Sequence, residues 1–147
     1  MMKILGALLL VGFTNSAIAH KFSTAYLDVS ARDGQPVIVW QVALHDLAQA
    51  RLLQGAFGSA VSWQQVLDSE ASLSRYIRAR LSFTADATAC TLAPQHSDHW
   101  QLQQIQGEFY LQLAVQAKCS SAHGWQLTYR ALFDTEHSHK ALLSWQL

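Results

Sequence analysis

Phe109-Tyr110-Leu111-Gln112-Leu113-Ala114-Val115-Gln116-Ala117-Lys118 alternates without a break. Phe109, Leu111, Leu113, Val115 and Ala117 fall on one side, and Tyr110, Gln112, Ala114, Gln116 and Lys118 on the other. Successive strand residues point to opposite faces, so this pattern predicts an antiparallel strand with one face on the core and the other toward water. The text on either side agrees. Trp100 to Ile105 precedes it across Gly107, and His123-Gly124 turns into Trp125 to Phe133 behind it. Leu142 to Leu147 closes the chain as a last strand.

Toward the N-terminus, Leu81-Ser82-Phe83-Thr84 starts a strand, Cys90 to Leu92 forms a short one, and Pro94 to Asp98 turns the chain. Val37 to Leu44 is β-branched and aromatic, a buried strand. With Phe22 to Val29 and the Asp33-Gly34 turn it predicts an N-terminal hairpin. Helical spacing occurs once. Ser62-Trp63-Gln64-Gln65 matches a capping box, and Trp63, Val66, Leu67, Leu73, Ile77 and Leu81 follow at helical intervals. That predicts one helix, or two with a break near 69–72, over Ser62 to Arg80. Asp46 to Ser59 reads as a short helical turn and a loop. The expected fold is therefore α+β, mainly antiparallel β in a sandwich-like or half-barrel sheet, with one helical insertion at 62–80.

The first residues obey different rules. Lys3, the apolar run Ile4 to Phe13, and the small residues Ala17 and Ala19 have the three-part order of a cleavable signal peptide over 1–19. The run is too short for a membrane span of about 20 apolar residues. A single domain over 20–147 would then be released to the periplasm. Without Lys3, nine Lys and Arg face ten Asp and Glu. A nearly neutral chain with no basic run argues against nucleic acid as a partner. Cys90 and Cys119 are the two cysteines, and an even count in an exported chain predicts one disulfide; two buried free thiols are the alternative.

Several motifs in order along the chain add a resemblance. Ala19-His20-Lys21, Tyr26-Leu27, Trp40 to Leu47, Val61 to Val66, the two cysteines, His96-Ser97-Asp98, and Phe133-Asp134 with His139 to Leu143 together resemble the extracytoplasmic N-terminal domain of HupE/UreJ-type membrane proteins. The resemblance implies a place in nickel handling or hydrogenase and urease accessory work. It also implies a multi-helix membrane protein as partner, because the transmembrane bundle of such proteins is not in this chain. Relatives often carry an acidic, calcium-loop-like stretch before the helix start that corresponds to Ser62. Here Gln54 to Ala60 has no carboxylate, so that site is not expected.

For chemistry, His20 stands out. As a mature N-terminus its α-amino group and imidazole can chelate Cu(II) or Ni(II). Partner ligands are sought in His96 and His99, or His137 and His139, and the family resemblance favours His96 and His139. His45 and His123 read as solvated bystanders. No Gly-x-Ser-x-Gly, His-Glu-x-x-His or phosphate loop is present. Asp134 and Glu136 read as turn caps, and Trp40 and Trp63 as core. The leading expectation is thus a non-enzymatic accessory or interaction domain, and the second a small Cu(II)- or Ni(II)-binding protein. The third, a hydrolase, requires a carboxylate or Ser–His pair in a pocket.

Overall fold

A computed structural model of the protein describes residues 23–55 and 60–147. The expected signal peptide and His20 lie outside the described residues, as do residues 56–59 in the loop before Ser62.

The N-terminal hairpin is as expected, though longer. Strand β1 (Thr24–Arg32) returns as β2 (Gln35–Ala43). Asp33 and Gly34 between them have φ of 52° and 76°. Two successive positive φ values give the turn whose twist matches paired strands. The chain then enters helix α1 (Leu44–Gln49), so the predicted second strand stops one residue early. The helical insertion is two helices, α2 (Trp63–Leu67) and α3 (Glu70–Arg80), broken at Asp68 and Ser69. The capping box is made in full. The Ser62 hydroxyl accepts from the Gln65 amide at 3.2 Å, and the Gln65 side-chain oxygen accepts from the Ser62 amide at 2.8 Å.

Helix α3 runs directly into β3 (Leu81–Ala85), followed by β4 (Thr88–Ala89) and β5 (Thr91–Pro94). A single 3-10 turn, Ser97–His99, leads to β6 (Gln101–Ile105) and the long β7 (Glu108–Lys118). Strands β8 (Trp125–Tyr129) and β9 (Lys140–Trp145) complete the chain.

The strands form two open sheets. The larger runs β5-β7-β2-β1-β9, with β6 sharing the β7 edge beside β5; the smaller runs β4-β3-β8. Pairings are antiparallel except one. β9 lies parallel to β1, with Thr24 opposite Lys140 and Val29 opposite Trp145. The expected run of antiparallel strands therefore ends at β8. The segment after β8 leaves the small sheet and crosses to the large one, and it arrives pointing the same way as β1.

Alternation on β7 holds for Leu111, Leu113, Val115 and Ala117, which are all buried. At its start the pattern fails: Phe109 is exposed, while Tyr110, on the outer face, is buried against Tyr26 with ring centroids 5.9 Å apart. The inner faces of the two sheets meet in one core. Phe83 of β3 stacks on Trp145 of β9 at 6.0 Å, and Trp40 of β2 meets Tyr129 of β8 edge-on at 6.4 Å. Leu73 and Ile77 bring α3 into the same core.

Cys90 and Cys119 are disulfide-bonded across 29 residues, joining the β4–β5 junction to the end of β7. This bond points to an oxidising, exported environment. No helix among the described residues is long and apolar enough to cross a membrane. Replacing both cysteines by Ser is expected to remove about 3–4 kcal/mol from the unfolding free energy, the loop-closure contribution for a loop of this length. Urea denaturation of the oxidised parent against the variant measures it.

Candidate functional site

A carboxylate inside an apolar stretch must find hydrogen-bond donors or pay heavily for burial. Asp46, in the first turn of α1 between His45 and Leu47, is such a group and is 5% exposed. Its partner comes from the far side of the hairpin. Ser23, the residue before β1, donates its hydroxyl to Asp46 Oδ2 at 2.6 Å. The Ser23 hydroxyl oxygen also lies 2.6 Å from Nδ1 of His139, the residue before β9. His139 Nε2 lies 2.9 Å from the hydroxyl of Tyr129, the last residue of β8.

Donor counting orders the protons. With Asp46 ionised, Ser23 gives it the one hydroxyl proton, so His139 must donate through Nδ1–H. Nε2 is then bare and accepts from the Tyr129 phenol. The result is a directed chain from Tyr129 through His139 and Ser23 to Asp46. Rings close over it: Tyr129 stacks on His139 at 5.9 Å, and Phe133 meets His139 edge-on at 5.1 Å. The backbone reinforces the junction, since Lys140 N–H donates to the Ser23 carbonyl at 2.9 Å.

Burial governs the electrostatics. It pushes the Tyr129 phenol far above its usual range, so that group stays a donor. Trp40, whose ring meets Tyr129 edge-on, opposes that rise, and its buried indole N–H has no hydrogen-bond partner among the described residues. Desolvation raises Asp46, against the lowering effects of the Ser23 bond and the His139 charge. Desolvation likewise lowers His139, with Asp46 and Glu136 opposing it.

The other expected ligands go elsewhere. His96 is exposed beside the 3-10 turn, with Nδ1 3.4 Å from Asp98 and Nε2 3.7 Å from Glu70. Glu70 also accepts from the Ser97 amide and hydroxyl, which fastens this turn to α3. His96 and His139 belong to opposite edges of the large sheet, four strand spacings or roughly 19 Å apart. Both His139 nitrogens are already engaged. His137 sits in a turn, so the extended His-x-His arrangement that would align its ring with His139 is not formed. No group of three or more His, Cys, Asp or Glu suited to a metal ion occurs among the described residues. His123 is exposed, as expected, but is not a bystander: its Nδ1 lies 2.7 Å from Asp86, which also accepts from Ser121. Those two bonds hold the Asp86 carboxyl below its usual range. Asp134 pairs with Arg80 at 3.0 Å, and Glu136 caps its turn through Ser138.

Ser23, Asp46 and Tyr129 were not among the expected site residues. The available signal was Asp46 itself, a carboxylate embedded in Val-Ala-Leu-His-Asp-Leu. Its partners lie far away in sequence. Two clefts accompany the site. One, about 280 Å³, is lined by His45, Val61, Glu108 and Phe109 among others. The second, about 310 Å³, runs along β9 between Tyr26, Gln41, Leu142 and Leu143. Neither is lined by Ser23 or His139. Compared with known proteins, the chain matches no family model, no curated protein and no solved structure.

The lowered His139 sets a pH dependence. Between the ordinary imidazole value and the lower folded one, the unfolded chain binds the extra proton, so stability falls as pH drops through this window. Thermal melting between pH 7.5 and 5 is expected to show a declining midpoint, and His139→Gln to flatten most of that slope while lowering stability at pH 7.5.

Proposed function

We propose that this protein is an exported, non-enzymatic interaction domain that works in the periplasm beside a multi-helix membrane protein of the HupE/UreJ type. The observation that carries the reading is the β9 edge. β9 ends the strand order of the large sheet. Leu142 and Leu143 are each 53% exposed there, and Trp145 is 40% exposed. From Ala141 to Trp145 the strand has no charge and no proline, the features that usually protect an edge from pairing. The cleft beside it offers Tyr26, Gln41 and Leu142 on the open sheet face. An apolar, unguarded edge of this kind suits an added strand from a partner. The disulfide supports export, and residues 1–19 supply the signal this reading requires.

With Asp46 ionised, the Ser23–His139 pair is ordered the wrong way round for hydrolysis. An activated serine gives its proton to the imidazole. Ser23 instead donates to Asp46, and the nitrogen facing it carries a proton of its own. That order supports a structural rather than a nucleophilic serine.

A photoreactive residue in place of Leu143, in cells that also make a HupE/UreJ-type membrane protein, tests the reading. Crosslinking to the membrane protein is expected, with about tenfold less capture when Leu142→Glu places an unpaired charge in the interface. Crosslinks to a second copy alone, or none, overturn it.

A further inference from the structure

We propose that Ser23, Asp46, His139 and Tyr129 form a proton-sensitive latch holding the start of β9 to the start of β1, and that a proton taken up at His139 unfastens this end of β9 while the rest of the fold persists. Its consequence for docking rests on the reading of β9 as the interaction edge; its mechanism does not.

The placement of the four residues makes the case. Ser23 and His139 directly precede Thr24 and Lys140, the first paired residues of the parallel β1–β9 ladder. Their side-chain bond therefore extends that ladder by one position. Among the described residues β9 has β1 as its strand neighbour in the large sheet, and the latch sits where that ladder begins. The opposite end is separately secured. Trp145 stacks on Phe83, and the Gln146 amide donates to the Val29 carbonyl at 2.8 Å. Loosening is thus confined to the first residues of β9.

An added proton conflicts with the chain of donors. Both nitrogens of an imidazolium are donors, so Nε2–H would face the phenol that now donates to it. Tyr129 would have to turn its own proton away, toward Phe133, His139 and the Trp40 edge, none of which offers a strong acceptor. The charged groups around the site do not rescue the cation. Asp46 of α1, one hydroxyl removed, and Glu136 of the turn before β9 act on His139 itself; His45 of α1 and Glu108 of β7 act on Asp46, Tyr76 of α3 on Tyr129, and His137 on Glu136. Desolvation outweighs the carboxylates at His139.

Hydrogen exchange of the intact chain, read by segment between pH 7.5 and 5 and corrected for intrinsic rates, tests this. Protection at Lys140 to Leu143 is expected to fall by up to about tenfold per pH unit, the limit for one proton, and to lie below that of β2 and β7, which report global unfolding. His139→Gln should remove the pH dependence at this segment. Tyr129→Phe should move the transition to higher pH, because it deletes the donor that favours the neutral ring. Asp46→Asn should keep the transition and move it lower, since a nearby anion is lost. A pH effect that survives in His139→Gln but vanishes in Asp46→Asn, or protection at Lys140 to Leu143 equal to that of β2 and β7 at every pH, overturns the latch. These readouts use the isolated chain, so their failure is separate from any failure to crosslink a partner.

Discussion

A carboxylate placed where water cannot reach it has to be met by hydrogen bonds, and at Asp46 that requirement organises one end of the molecule. Ser23 meets it from the entry to β1, and Ser23 is in turn held by His139 at the entry to β9. Tyr129 completes the sequence from the second sheet. Four elements converge because each donor has one proton to give and each acceptor needs one. Remove any member and a buried polar atom loses its partner, which costs more than the bond itself contributed.

The same end of the fold is where the two sheets are joined by the chain. β8 belongs to the small sheet and β9 to the large one, so the 130–139 segment must cross between them. Arg130 N–H donates to the Arg80 carbonyl at 2.9 Å, and Leu132 N–H donates to the Tyr76 hydroxyl at 2.8 Å. These bonds tie the crossing segment to α3. At the other end of the large sheet the disulfide makes a covalent tie. Between the two fastenings lies the apolar core, and outside them lies β9, paired on one side and apolar on the other.

Much of the fold was legible in local text. The two-residue period of 109–118, the Asp33-Gly34 turn and the Ser62–Gln65 capping box each depend on neighbours a few residues apart, and each is found. The disulfide was legible because two cysteines allow a single pairing. The Tyr110 exception shows the boundary. Its place on the outer face follows from parity, but its burial follows from Tyr26, which parity cannot bring alongside. Likewise the histidines could be counted, but not sorted. His96 and His139 look equally available in the sequence, and the sheet order sends them to opposite edges.

The sequence by itself determined the strands, the helical insertion and the cysteine pair, because periodicity, capping and covalent chemistry act over short distances or leave no choice of partner. Only the tertiary structure decided that β9 runs parallel to β1 and that Ser23, Asp46, Tyr129 and His139 meet. Those outcomes depend on contacts spanning up to 116 residues. They are set by how two apolar sheet faces close on one another, which no local pattern encodes.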